Sequence, residues 1–212
     1  MLTSAAVMFA GIITSLGRIN IAVAVLILIL SVIFKMISFK NIIFILLIAG
    51  AISFISFYNN KAEVTQRIES PAQLSDRDII YKGAGEILWE HPFLGYGPRT
   101  FKEIFPFREE FSDKGISGWH NHILQVYFES GLIGLAVYIY FFAVIFFSGY
   151  RFIMRRYEGV KNFIVQGVLL SCAALFLAAF FSSVIDAPVL SIVFVFLVSI
   201  MTSEFYKEKY NT

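Results

Sequence analysis

Apolar runs recur along this chain from end to end, broken once by a long hydrophilic stretch from Asn59 to Trp119. That pattern leaves few ways to fold. In a bilayer, each run can satisfy its own backbone hydrogen bonds as a helix and face lipid. Composition favours that solution. Hydrophobic residues make up 58% of the 212 residues and charged residues only 15%, with a mean hydropathy of +0.76. Soluble domains have about 45–50% and about 25% respectively. The fold class read from the sequence is therefore an all-α integral membrane protein, with the lipid bilayer as its main solvent. The 24 phenylalanines suit lipid-facing and helix-packing surfaces. The net charge of +2 says less than where the charges fall, and no nucleic-acid partner is expected. The single cysteine, Cys172, lies in an apolar run and reads as a small buried residue. No cleavable signal peptide is expected, because the N-terminal apolar run lacks a basic leader and continues into a second hydrophobic segment.

Taken in order, the runs predict about six transmembrane helices: Leu2 to Leu16, Ile19 to Ile37, Ile42 to Tyr58, Ile123 to Tyr150, Phe163 to Ser183 and Val189 to Ser203. The first is shorter than the roughly 20 residues a span needs. The expected organisation is residues 1–58 as three membrane helices, 59–122 as a loop carrying the site, 123–204 as three more helices, and 205–212 as a tail. Lys35, Lys40, the basic cluster Arg151, Arg155, Arg156 and Lys161, and the tail lysines Lys207 and Lys209 all fall on one side of six crossings. Basic residues in short loops mark the cytoplasm, and a loop of about 60 residues lies near the limit of that rule. Both ends are expected inside and the long loop outside, with Arg18 as a lone arginine at an outer turn.

The loop is where the chemistry concentrates. Between Ser75 and Gly134 sit all three histidines and both tryptophans. Ser75 and Asp78 suit an N-terminal cap. Ile79, Ile80, Ala84, Ile87 and Leu88 then recur at helical spacing. His91-Pro92 is expected to stop that helix, and Gly95-Tyr96-Gly97-Pro98 to form a tight turn. Gly83 and Gly85 weaken the helix and suit close approach. A new helix is expected from near Asn121.

Three groups of residues could carry function. His120 and His122 have the spacing of a metal pair, but on a helix their rings diverge by about 200°, and no cysteine or carboxylate cluster completes a site; no metal or other cofactor is expected. At a helix N-terminus the dipole favours neutral imidazole, which can accept a proton. The plainer reading is polar residues at a helix start. Asn121, Gln125 and Glu129 share one helix face. Glu129 falls about 12 Å in from the helix start, where a carboxylate either takes a structural hydrogen bond or positions a substrate. Arg18 and Arg77, with Arg99 and Arg108 behind them, could grip phosphate bidentately or be solvated charges. Gly131 and Gly134 read as close helix packing.

Together these residues resemble the superfamily of O-antigen ligases and O-antigen polymerases, bacterial membrane enzymes acting on lipid-linked glycans. The resemblance rests on three features. One is Arg77 with the later Trp89-Glu90-His91-Pro92-Phe93-Leu94-Gly95-Tyr96-Gly97-Pro98 turn. Another is His120-Asn121, followed by Gly131-Leu132-Ile133-Gly134. The last is Thr14-Ser15-Leu16-Gly17-Arg18, in which Leu16-Gly17 is inserted between the Ser and Arg of the family element. The resemblance covers most of this chain but only the C-terminal part of a typical member, so a truncated reading frame, a fragment or a split subunit is expected. It implies a metal-independent, inverting transfer of a glycan from undecaprenyl diphosphate to an acceptor hydroxyl at the periplasmic face of the inner membrane. The acceptor would be another glycan, lipid A core or a protein. In that scheme His120 is the base, Arg77 and Arg18 hold the diphosphate, and Asn121, Gln125, Glu129, Gly131 and Gly134 support them. The alternatives are a lipid-linked sugar flippase, disfavoured by polar residues gathered at one face, and an inactive remnant.

Overall fold

A computed structural model describes residues 2–15, 18–59, 77–111, 118–155, 160–181 and 187–210, and among these every regular element is a helix. The chain divides into two compact units, Met1–Leu74 and Ser75–Thr212.

The first unit contains α1 (Leu2–Thr14), α2 (Arg18–Ile33) and α3 (Phe39–Asn59). Ala6, Phe9 and Ala10 of α1 pack against Ile45 and Ala49 of α3, where small side chains let two helices approach closely. Lys35, left-handed at φ 56°, ends α2, and the Met36 N–H returns to the Ser31 carbonyl at 2.9 Å in a Schellman-like turn. This helix therefore stops short of the predicted Ile37.

The second unit holds α4 (Arg77–Ile87), α5 (Phe101–Ile104), α6 (Arg108–Phe111), α7 (His122–Arg155), α8 (Val160–Ala179) and α9 (Pro188–Tyr210). α9 runs on past residue 204 as far as Tyr210. Phe39–Asn59, His122–Met154 and Pro188–Lys207 are long and apolar enough to cross a membrane, while Leu2–Thr14, Asn20–Ile33 and Phe163–Ala179 are shorter apolar helices. Ile145 and Phe152 of α7, Val165, Val168 and Cys172 of α8, and Met201 of α9 form one core. Rings of Phe142, Phe176 and Phe194 extend it, with Phe142 centred 4.8 Å from Phe176 and 5.4 Å from Phe194.

The predicted fourth span is not one continuous helix. Gly131 interrupts α7 with φ 66° and ψ −165°, a conformation essentially restricted to glycine. The two arms fold sharply about it. The His122 ring lies 5.4 Å from the Tyr138 ring, although in a straight helix residues that far apart in sequence would be separated by roughly 24 Å. The reading of Gly131 as a helix-packing position is corrected accordingly: it is a hinge in the backbone. Gly134 lies one turn beyond, where a Cβ would collide with the Ser130 side chain across the bend.

The break would orphan backbone groups that a helix normally pairs. The turn 91–97 supplies their partners. Tyr96 N–H donates to the Phe128 carbonyl at 2.7 Å and Gly97 N–H to that of Glu129 at 3.1 Å, while Leu132 N–H donates to Pro92 O at 2.7 Å and Ile133 N–H to Phe93 O at 3.3 Å. The glycines permit this seam. A Cβ on Gly95 would sit 2.6 Å from the Phe128 oxygen, and one on Gly131 2.2 Å from the Phe93 carbonyl.

Against this seam packs a second core, built from the apolar face of α4. Ile80, Ala84 and Ile87 meet Phe101, Phe105, Trp119, Tyr127 and Phe128. The predicted helical periodicity is thus realised, although α4 ends at Ile87, before the expected His91-Pro92 stop. The Ser75 cap lies outside the described residues. Gly83 and Gly85 separate in role. A Cβ at Gly83 would strike the Phe105 ring at 2.5 Å, whereas one at Gly85 meets open space. Gly85→Ala is therefore expected to stabilise the unit by about 0.5–1 kcal/mol, and Gly83→Ala to destabilise it by about 1–3 kcal/mol. Thermal unfolding in detergent checks both signs.

Candidate functional site

His120 stands between two anchored neighbours. Trp119, only 2% exposed, stacks on Phe128 with ring centroids 4.1 Å apart and meets Phe101 edge-on at 4.8 Å. Asn121 is the N-cap of α7, its Oδ1 accepting the Leu124 N–H at 3.1 Å. The predicted helix start is therefore found, with a reason. His120 itself is exposed and left-handed at φ 48°. Histidine tolerates that region better than most residues, but it is still an outlier. Arg99, also exposed, is left-handed at φ 61°. Backbone outliers of this kind cluster at functional sites, held by surroundings that over-determine them.

The Asn121, Gln125, Glu129 stripe forms as predicted, and its partners are now visible. Gln125 Nε2 donates to Glu129 Oε1 at 3.1 Å, and the same carboxylate oxygen accepts the Arg99 backbone N–H at 3.0 Å. Glu129 precedes the break at Gly131, so its carboxylate ties the short arm of α7 to the turn after Pro98. At the other end of the stripe, Asn121 Nδ2 makes a long contact of 3.4 Å to the Tyr81 hydroxyl on α4.

Arg77 opens α4 one turn before Tyr81, so the two share a helix face. Its Nη2 donates to the Phe181 carbonyl at 2.9 Å, just past the end of α8. A cation there complements the negative end of the helix dipole, and the bond uses one nitrogen of a guanidinium with five N–H donors. Arg77, Tyr81, Asn121 and His120 thus follow one another across the α4–α7 contact. Tyr81 escaped the sequence reading, because a lone tyrosine one turn after an arginine carries no pattern of its own. Arg18 opens α2 in the first unit, and its side chain lies outside the described residues.

The other two histidines have different surroundings. His122 is 6% exposed, with its ring against Tyr138 inside the bend of α7. His91 is exposed, its ring meeting that of Tyr96 edge-on with centroids 4.5 Å apart. Tyr96 donates its hydroxyl proton to Glu90 Oε2 at 2.6 Å. Burial first, and then the Glu90 carboxylate, push the Tyr96 pKa well above the usual tyrosine range. Tyr96 therefore remains a proton donor at any working pH and pins the turn to the end of α4.

No curated protein and no solved structure matches the chain. A family model described as O-antigen ligase matches residues 3–139, a stretch that takes in α1 to α6, the seam and the start of the long arm of α7. With well over half of its length matched, this chain belongs to the O-antigen ligase family of bacterial membrane proteins.

Proposed function

We propose that the protein is a glycosyltransferase that moves a glycan from undecaprenyl diphosphate to an acceptor hydroxyl at the periplasmic face of the inner membrane. The observation that carries the reading is His120: exposed, left-handed, and fixed on both sides by the buried Trp119 and the cap Asn121. Its imidazole takes the acceptor's proton as the acceptor oxygen attacks the anomeric carbon, and the bond from that carbon to the diphosphate oxygen breaks with inversion. Arg77 and Arg18 bind the departing diphosphate and offset its charge in the place a metal would otherwise take. Gln125 and Glu129 hold the turn that presents Arg99. The acceptor is a growing glycan, lipid A core or a protein hydroxyl.

This reading needs six crossings with the loop outside, for which the side preference of the basic residues in short loops is the support. A cysteine at the exposed Glu103 in a Cys172→Ala background is expected to react with an impermeant thiol reagent added from outside. Reaction only after the inner membrane is opened would reverse the orientation and remove the mechanism.

Deleting the protein from its bacterium tests the function. Loss of attachment with lipid-linked glycan accumulating on the outer face is expected. Accumulation on the cytoplasmic face would make the protein a flippase, and no change would make it an inactive remnant.

Arg77 carries a structural bond as well as the proposed one, so its test must separate them. Arg77→Lys keeps the charge and can still donate to the Phe181 carbonyl, but loses the fork that matches a diphosphate. Transfer is expected to fall by about 10²-fold or more, with weaker donor binding and unchanged protein level. Wild-type transfer would make Arg77 a helix-end partner only.

A further inference from the structure

The turn sewn into the break of α7 has a second face. Trp89, Phe93 and Leu94 are 74%, 67% and 75% exposed. The backbone on either side of Phe93 and Leu94 is hydrogen-bonded, so the exposure of these two is not that of a loose loop tip. The Pro92 and Phe93 carbonyls are bonded to the N–H groups of Leu132 and Ile133, the first two residues of the long arm of α7. Phe93 and Leu94 are therefore held level with the first turn of that apolar arm. Leu132 and Ile133 are themselves exposed, and the apolar surface continues along the arm through Val137. Three large apolar side chains on water would be an unusual patch for a settled protein surface. Beside a membrane helix, the same patch continues the lipid-facing surface of that helix.

We propose that the Trp89–Leu94 tip is a membrane anchor: a backbone-locked turn whose apolar side chains enter the interfacial and outer acyl region of the bilayer beside the long arm of α7. Tryptophan suits the boundary, with an apolar body and a polar N–H. Glu86 and Glu90, exposed on the same segment, mark its aqueous side. The Pro92 and Phe93 carbonyls of the tip are paired across the break, which lowers the cost of lipid around them. The anchor is independent of the transfer chemistry and stands or falls on immersion alone.

The test uses the full chain in nanodiscs of phosphatidylethanolamine and phosphatidylglycerol. Nitroxide labels are attached at Leu94→Cys and, as the aqueous control, at Glu103→Cys, each in the Cys172→Ala background. Oxygen, which partitions into lipid, is expected to relax the Leu94 label more strongly than a water-soluble nickel chelate does, and the Glu103 label is expected to show the reverse preference. Because Cys172 is buried, repeating the labelling without the alanine substitution guards against a folding defect in that background. As a measurement free of cysteine changes, acyl-chain-brominated lipid is expected to quench the exposed Trp89, leaving the buried Trp119 as the residual emission. A Leu94 label with the nickel accessibility of Glu103 would overturn the anchor. So would a label reached by neither relaxer, which would mean that protein, a second copy or another segment, covers the tip.

Discussion

His120→Ala is expected to lower glycan transfer by about 10²–10⁴-fold, the usual loss when a general base is removed, while the protein still inserts and binds the lipid-linked donor. Because His120 sits at φ 48°, an alanine there would add backbone strain to the loss of the imidazole. His120→Asn separates the two effects, since asparagine tolerates the left-handed region but is no base. Both variants are expected to be inactive and His120→Asn to retain wild-type stability. His122→Ala is expected to retain most activity per folded molecule, because His122 faces Tyr138 inside the bend, although the cavity it leaves will lower stability. The measurement is transfer in membranes, normalised to protein level and donor binding. An active His120→Asn variant would remove the proposed base, and a dead but stable His122→Ala variant would move the chemistry into the bend.

Gly131→Ala is expected to have the largest structural effect. The φ and ψ at Gly131 alone cost a non-glycine residue about 1–3 kcal/mol. The new methyl group would also lie 2.2 Å from the Phe93 carbonyl. No side-chain rotation relieves that overlap, because the obstacle is backbone. The turn must withdraw, and the four bonds across the seam go with it, each leaving groups whose burial unpaired costs about 1–3 kcal/mol. A loss of roughly 5 kcal/mol is therefore the minimum expected, enough to unfold the site-bearing segment of a marginally stable protein. Amide exchange checks this locally: Tyr96, Gly97, Leu132 and Ile133 should lose protection together, whereas Gly85→Ala leaves them unchanged. Persistent protection at all four amides would mean that the bend does not depend on glycine.

How much of this could be read beforehand depends on the kind of signal each feature leaves. The apolar face of α4 repeats at helical spacing, so it was legible, as was the start of α7 at Asn121, where a capping side chain precedes an apolar run. The sharing of one face by Asn121, Gln125 and Glu129 follows from helix periodicity alone. Their partners do not: Glu129 is met by a backbone N–H of Arg99, and any residue but proline could offer one. Arg77 bonds a carbonyl 104 residues away, which leaves no trace in side-chain pattern. The break at Gly131 was hidden for a different reason. The residues on both sides are apolar, and a glycine in an apolar helix is ordinarily a packing position. Only Gly95 and Gly131 considered together, one in a turn and one in a supposed helix, hint that two backbones must touch.

The seam between 92–97 and 128–133 also decides where this protein can change. It closes the intervening chain into a loop whose two ends are fixed by main-chain bonds and by the packing of Trp119, whatever lies between Phe111 and Gly118. Lengthening a loop with pinned ends is cheap, about 0.6 kcal/mol for each doubling. Insertions and deletions between Phe111 and Gly118 should therefore be tolerated without moving His120. The contacts that hold His120 in position lie outside that stretch, in the stacking of Trp119 on Phe128, the cap of Asn121 and the seam.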